Sequence, residues 1–337
     1  MSADNKMVLI RAEACLWGGA VGDAVGKASE GYSPASIIEV YGGRLEGFVE
    51  PIQPLSQFTW QRAEVTEDTR QCVAVAKAII DNQAVDQLTI ARYLLDCDKK
   101  GIGPSSRTYH FILVNDIGHI AKKGSGTGAA TRIAPLGLVN SSENLAKLVD
   151  DVAKATVMTH GGRSAIAGAA AMAAAISAAL EGWPAGYVLL NAVRAAKLAE
   201  QLGYPDRLVP VSEKIKLGMD LAGEFSGQEL WDRIDQEIGW GFFANEAVPA
   251  ALITACTFLN ARDAILHAVN KGGDADAIAG MAGALAGALN PESLPLEWIE
   301  EVRAANNLEL TGLAQKLVKL RPNSKRDLSE LSVEIGG

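Results

Sequence analysis

Five acidic residues in three separate parts of the chain stand where loops turn into helices: Glu30, then Glu67 with Asp68, then Asp274 with Asp276. Carboxylate and hydroxyl oxygens are hard ligands, suited to magnesium, manganese or calcium rather than zinc. Five acids drawn together would repel one another unless cations compensate them. Held around two metal ions, such acids would make a hydrolytic site. Spacing alone does not show that they meet. The plainer alternative is a set of acids at helix starts, where carboxylates complement unpaired N–H groups and the helix dipole with no ligand at all.

The strongest single stretch runs from Gly272 to Gly287. Gly272 and Gly273 permit backbone angles that a side chain would block. Asp274 and Asp276 follow at the point where the turn becomes a helix. Gly280, Gly283 and Gly287 then recur at spacings of three and four, so they share one face and let another helix approach closely. A carboxylate pair at a closely packed helix start is a good place for a hard cation.

Other chemistry finds less support. The four histidines, His110, His119, His160 and His267, include no pair at metal-ligand spacing. His160 differs from the rest because Thr159-His160-Gly161-Gly162 falls in a break between two helices; it reads either as a site residue or as a structural one. No G-x-S-x-G elbow is present, so an α/β-hydrolase triad is not suggested. Residues Lys122 to Arg132 are rich in glycine and could turn backbone N–H groups toward an anion. They match neither the P-loop nor the dinucleotide-binding pattern, and by composition alone they read as a flexible connector.

These residues need elements to position them, and the periodicity supplies helices. With 337 residues the chain can bury a sizeable core. A first helix is predicted from Lys6 to Val25, ending in Gly22-Asp23-Ala24-Val25-Gly26, with an acid at each end of the segment from Asp23 to Glu30. Residues 31–60 read as loop with short helical pieces. A helix opens at Thr66, a plausible N-cap followed by two acids, and runs to Ile80. Others are expected at about 90–97, 104–120, 144–158, 163–180, 185–202, 210–222, 227–237, 245–259, 262–270, 276–289, 294–305 and 309–319. No alternating strand pattern, internal repeat or low-complexity linker appears. The expectation is an all-α fold in a single domain over residues 1–322, followed by a polar tail over 323–337.

Composition narrows the partners. The formal charge of −9 argues against a broad nucleic-acid surface. Four widely separated cysteines fit neither a zinc site nor a disulfide framework and suggest a reducing compartment. The polar N-terminus lacks a signal-peptide core. The alanine-rich stretch from Ala165 to Leu180 falls short of the roughly 20 residues that cross a bilayer. A cytoplasmic protein with no membrane or nucleic-acid partner is expected, while the oligomeric state is not legible.

Four blocks, in order, carry a resemblance. Gly18 through Gly26 to Glu30 resembles G-x-x-x-G-D-A-x-G-x-x-x-E. Val65 to Thr69 resembles T-D-D-T. Gly128 to Gly137 resembles the end of N-G-A-x-M-R-x-x-P-L-G, and Gly272 to Ala288 resembles G-G-D-x-D-T-I-A-x-x-x-G-A-x-x-G-A. These are blocks of the ADP-ribosylglycohydrolase family, which includes the dinitrogenase reductase-activating glycohydrolases, and they span residues 18 to 288. The resemblance implies a compact, orthogonal multi-helix bundle and two Mg²⁺ or Mn²⁺ ions. It also implies hydrolysis at C1 of the distal ribose of an ADP-ribose conjugate.

By the same resemblance, Thr66, Glu67, Asp68, Asp274 and Asp276 become metal ligands, with Asp68 also counted as catalytic. Glu30 falls on the family's mobile acid near the scissile bond. Thr127, Gly128, Ala129 and Arg132 fall where the phosphates and distal ribose bind, and His160 falls on the adenosine side. Four departures stand out. Glu67 replaces Asp, lengthening one ligand. Ala277 replaces Thr, removing a hydroxyl and weakening one metal position. Thr127 replaces Asn and Thr131 replaces Met, altering the substrate side. The implied activity is a metal-dependent glycohydrolase acting on a ribosyl conjugate. Its rivals are a hydrolase of a small, nucleoside-like N-ribosyl compound and a non-catalytic ADP-ribose binder.

Overall fold

The computed structural model describes residues 3–53, 58–97 and 107–322. Among these it contains seventeen α-helices and no strand. In chain order they are α1 (Ala3–Gly26), α2 (Pro34–Tyr41), α3 (Glu67–Asn82), α4 (Gln87–Leu95), α5 (Arg107–Val114), α6 (Gly128–Thr131), α7 (Ala134–Val139), α8 (Leu145–Thr156) and α9 (Arg163–Leu180). They continue with α10 (Ala185–Ala199), α11 (Val211–Glu224), α12 (Gly227–Glu237), α13 (Ala244–Phe258), α14 (Ala261–Val269), α15 (Ala275–Leu289), α16 (Leu296–Asn306) and α17 (Leu310–Leu320). The expected tail over 323–337 and the first residues of the helix expected at 104–120 lie outside the described residues.

Glycine decides the central contact. α1 and α15 touch backbone to backbone, because Gly18, Gly22 and Gly26 recur every fourth residue along one helix and face small residues of the other. A Cβ at Gly22 would stand 2.1 Å from the Ala279 carbonyl oxygen, and one at Gly18 would stand 2.2 Å from that of Gly283. The small-residue face predicted for the Gly272–Gly287 stretch is this contact. Its consequence for the site is direct: Asp23 and Lys27 on the α1 side are brought against Asp276 at the start of α15.

Around this pair the helices share a single apolar core. α15 also packs on α13, α14 and α9, while α9 packs on α6, α7, α8 and α10. α9 is long and apolar enough to cross a membrane, yet 94% of it is buried inside the protein, as a core helix should be. Alanine lines much of its length, which allows neighbours on every side.

Some boundaries differ from the sequence reading. The helix expected to reach Ile120 ends at Val114, followed by Asn115 with φ of 52°; that left-handed turn stops the helix. Two short helices were not expected: α6 lies within the glycine-rich segment and α7 just after it. They have four and six residues, too few for a periodic apolar pattern to show.

Candidate active site

Three breaks in the helical framework deliver the acids. In the first, α1 runs into a 3₁₀ turn, Lys27–Ser29, and then to Glu30. The Ser29 hydroxyl donates to the Val269 carbonyl at 2.7 Å, and the Gln53 amide donates to the carbonyls of Lys27 and Glu30 at 2.9 and 3.1 Å. The turn is therefore fixed on both sides.

The second break is the N-terminus of α3. Thr66 caps it, with its hydroxyl accepting from the Asp68 N–H at 3.2 Å. Asp23 holds the same turn from below. One of its oxygens accepts from the N–H groups of Thr66 and Thr69 at 3.0 and 3.2 Å, and from the Thr69 hydroxyl. Its carboxylate thereby satisfies helix-start donors that would otherwise be unpaired. Asp23 was legible in the sequence as an acid available for chemistry; the structure shows it fixing the backbone that carries Thr66, Glu67 and Asp68.

At the third break, Gly272 and Gly273 adopt φ of 69° and 65°. Side chains there would meet the carbonyl oxygens of Tyr32 and Trp240, each 2.0 Å from a built Cβ. The turn is pinned by hydrogen bonds from Gly273 N to Tyr32 O and from Asp274 N to Trp240 O, both 3.0 Å. Asp274 sits at the N-cap of α15, yet its side chain does not cap the helix. It turns into the acid cluster instead.

Carboxylate oxygens of Glu30, Asp274 and Asp276 lie within 4.8 Å of one another. Glu67, Asp68 and Asp23 surround this group closely enough to be coupled to it electrostatically. Burial and the Asp276 charge push Glu30 up to about 7 and Glu67 up to about 8, and the same causes push Asp23 up to about 6. Burial, then the charges of Glu67 and Asp276, hold Asp68 well above the usual carboxylate range. Asp274 is raised likewise by burial and by Asp276, with the Thr127 hydroxyl working the other way. In every one of these shifts burial comes first and the neighbouring carboxylates add to it.

The donor set fits a hard divalent cation. Oδ2 of Asp274 is buried with no hydrogen-bond partner among the described residues, and a cation is what a buried anionic oxygen in that position lacks. Glu30, Asp274 and Asp276 would hold such an ion, with Asp68, Glu67 and the Thr66 hydroxyl at hand beside them. Ala277 presents only a buried methyl group, 2% exposed, so it contributes no oxygen.

One cation is already built in. Lys27, 5% exposed, pairs with Oε2 of Glu30, lies 3.7 Å from Oδ2 of Asp276 and stands 4.6 Å from the centre of the Trp60 ring. Burial alone would lower its pKa, but Asp276 and Glu30 raise it, so the ammonium stays charged. The sequence reading passed over Lys27. The available signal was a lone lysine in a run of small residues, three positions before Glu30.

The glycine-rich segment is anchored, contrary to a flexible connector. Gly161 N donates to Lys123 O and Gly162 N to Gly124 O, both at 3.1 Å, and Ala244 N donates to Ser125 O at 2.9 Å. Ser125 also donates to Asp206 at 2.9 Å. Thr127 and Gly128 are partly exposed and border the acids, as the Thr127–Asp274 influence shows. Ala129 and Arg132, expected to contact a ligand, are both 0% exposed, so neither side chain reaches the cleft. The Arg132 guanidinium donates to Gln71 Oε1 at 2.9 Å, to Ala155 O at 3.0 Å and to Thr159 Oγ1 at 2.6 Å. Its role is positioning. Thr131 also differs from expectation: its hydroxyl donates to Asp68 at 2.8 Å, so it belongs to the acid centre rather than to an altered apolar contact beside the ribose.

His160 sits at the edge of this segment, 5% exposed, with Nε2 3.4 Å from where a Cβ of Gly128 would stand. Its Nδ1 lies 2.8 Å from the Thr159 hydroxyl. That hydroxyl accepts from Arg132, which always donates, and also has Thr156 O at 3.3 Å as an acceptor for its proton. Burial, then the charges of Arg132 and Arg107, hold His160 well below its ordinary pKa, so the ring is neutral. His267, by contrast, is enclosed by Trp231, Trp240 and Phe258 and is structural.

An uncharacterized protein of Archaeoglobus fulgidus is 31% identical over 314 residues, covering 91% of this chain and 95% of its own length. The ADP-ribosylhydrolase ARH3 of Mus musculus is 28% identical over 351 residues, covering 91% and 90%. A solved structure described as an ADP-ribosylglycohydrolase-related protein complex superposes with a TM-score of 0.69 at 23% identity, over 94% of this chain and all of that one; this likeness concerns the fold. The family model described as ADP-ribosylglycohydrolase matches residues 5–327, and the chain belongs to that family.

Proposed function

We propose that this protein is a divalent-metal-dependent glycohydrolase that cleaves the bond at C1 of a ribose in an ADP-ribosyl or related ribosyl conjugate. The observation that carries this reading is the meeting of Glu30, Asp274 and Asp276 from distant parts of the chain within 4.8 Å, around an Asp274 oxygen with no partner. Family membership and similarity to an ADP-ribosylhydrolase support the reaction class.

A bound Mg²⁺ or Mn²⁺ would supply positive charge for ribose hydroxyls and for the attacking water. The protein's own groups account for the remainder. Glu30 and Asp68 present carboxylates toward the place where positive charge grows on the ribose in an oxocarbenium-like transition state. Glu30, raised to about 7, is suited to carry a proton near neutrality. Thr131 fixes the Asp68 carboxylate, and Asp23 fixes the turn beneath it. The Thr127–Gly128 segment and the Nε2 edge of the His160 ring border the place for the rest of the ligand.

A second reading of the substrate is favoured by one observation. The Thr127 hydroxyl is drawn toward Asp274, and Thr131 is engaged by Asp68. Two side chains of the substrate segment are thus turned to the acids, which fits a ribosyl compound smaller than an ADP-ribosyl protein.

One assay separates these readings from a non-catalytic binder. ADP-ribosyl-arginine, ADP-ribosyl-serine, nucleosides and nucleotides are incubated with the protein and Mn²⁺, before and after exhaustive EDTA treatment. Metal-dependent release of a free ribosyl product supports the proposal, and the preferred substrate decides between its two forms. Full turnover after metal removal, or binding of ADP-ribose with no turnover of any substrate, defeats it.

A further inference from the structure

Lys27 has a place in the acid centre that hydrolysis alone does not require. Its ammonium is one of the most deeply enclosed charges of the molecule, at 5% exposure. It has three neighbours on separate sides: Oε2 of Glu30, Oδ2 of Asp276 at 3.7 Å and the face of Trp60 at 4.6 Å. Glu30 and Asp276 are two of the three residues in the converging group. The third, Asp274, keeps the partnerless buried oxygen Oδ2. The cluster therefore carries an ammonium against two of its carboxylates and, on the third, a buried oxygen with no hydrogen-bond partner.

The ammonium has little room to withdraw. Its turn is held through Ser29 to Val269 and through Gln53 to the Lys27 carbonyl. Immediately before it, Gly26 lies so close to α15 that a Cβ would stand 2.5 Å from Ala275 O and 2.6 Å from Asp276 Cα. Outward movement of Lys27 would leave Glu30 and Asp276 facing each other uncompensated. Beyond the ion that Glu30, Asp274 and Asp276 would hold together, a second divalent ion placed where the ammonium stands against Glu30 and Asp276 would meet its positive charge, and like charges that close are strongly repelled in a buried site.

We propose that the centre is built for a single divalent cation bound on the Asp274 side, with the Lys27 ammonium as its permanent second cation between Glu30 and Asp276. This rests on the metal-dependent reading given above and specifies its stoichiometry. The ammonium also has a function for Glu30, which it holds turned toward the cluster rather than toward solvent.

The test counts ions without reference to turnover. The full-length protein is stripped of metal and titrated with Mn²⁺, with bound ion measured by equilibrium dialysis and the signal followed by electron paramagnetic resonance. The wild type should take one tightly held ion per chain, with the spectrum of an isolated Mn²⁺. Lys27→Met removes the charge while keeping a long side chain. It should gain a second site at least about tenfold tighter than any second binding in the wild type, and an exchange-coupled pair should appear. Lys27→Arg should retain a single ion, and thermal melts establish that each variant is folded. Two tight, coupled ions in the wild type would overturn the proposal while leaving metal dependence intact. A single ion in a folded Lys27→Met protein would overturn it too. No bound ion in any variant would overturn both this proposal and the reading on which it rests. If Lys27→Met fails to fold, the wild-type stoichiometry and spectrum decide.

Discussion

The hydroxyl of Thr131 donates to Oδ1 of Asp68 at 2.8 Å, linking the end of the glycine-rich segment to the start of α3. Asp68 lies in a crowded field of negative charge, and this hydrogen bond favours its ionised form. Thr131 therefore acts on the acid centre from a block that, read as sequence, belongs to the substrate side.

Thr131→Val keeps the shape and removes the donor. A hydrogen bond to a charged group contributes about 1.5–3 kcal/mol, so Mn²⁺ affinity should fall by roughly tenfold or more. Thr131→Ser should keep most of it. Calorimetric titration of the two variants measures the difference, and equal affinities would remove Thr131 from the centre.

Gly22→Ala should destabilise the protein. On propensity alone alanine would gain about 0.5–1 kcal/mol in a helix. Here the new Cβ would lie 2.1 Å from Ala279 O, and forced overpacking costs about 1–3 kcal/mol or more, so the net sign is unfavourable. Because Asp23 and Asp276 sit on the same contact, metal binding should weaken as well. Gly223→Ala, where a Cβ meets nothing within 4 Å, is the control and should be neutral or slightly stabilising in urea denaturation.

Arg132→Met should act through the fold rather than by direct ligand contact. It leaves Ala155 O and Thr159 Oγ1 without their buried donor, while Gln71 Oε1 keeps only the Thr108 hydroxyl at 3.2 Å, and each unpaired acceptor costs about 1–3 kcal/mol. A loss of several kcal/mol in denaturant unfolding is expected. Thr159, which neighbours His160 Nδ1, would lose its Arg132 donor as well, so the ¹⁵N resonances of His160 should shift. An unchanged unfolding midpoint combined with weaker ligand binding would restore Arg132 to the ligand.

The metal-free protein should lose stability as pH rises. Glu30 and Glu67 titrate at about 7 and about 8 when folded, against about 4.3 when unfolded. Between these values the folded state binds more protons than the unfolded one, so unfolding free energy falls with increasing pH. The melting temperature of stripped protein should be lower near pH ~8 than near pH ~5, and Glu67→Gln should flatten that slope. Saturating Mn²⁺ should stabilise most at the higher pH. A stripped protein that melts higher at the alkaline end, with no change in Glu67→Gln, would contradict the assignment.

The parts of the site that were legible in the sequence are those encoded locally. Thr66, Asp274 and Asp276 stand at helix starts beside glycines or caps, and these short-range signals survive without the fold. The close α1–α15 contact was half visible, through glycines at helical spacing. What lay hidden depends on distant partners. Nothing near Lys27 in the chain says that Trp60 and Asp276 will enclose it. Nothing near Arg132 shows that Gln71 and Thr159 will take its donors, so a motif position was read as a ligand contact. The acid at 23 was visible as chemistry, but its use as a backbone clamp required the position of α3.

The backbone contact between Gly22 and Ala279 joins the first helix to the fifteenth. A chain emerging from the ribosome meets Glu30, Glu67 and Asp68 long before it meets Asp274 and Asp276. Until α15 docks, the early acids have no enclosing partners and no ordered place for an ion. Contacts of such sequence separation form late and slowly, and α1 must meanwhile keep a small-residue stripe uncovered, a state open to wrong pairings. Under the proposed metal dependence, tight Mn²⁺ capture would report the docking of α15, and a fragment ending before residue 270 should fail to acquire it however helical it becomes.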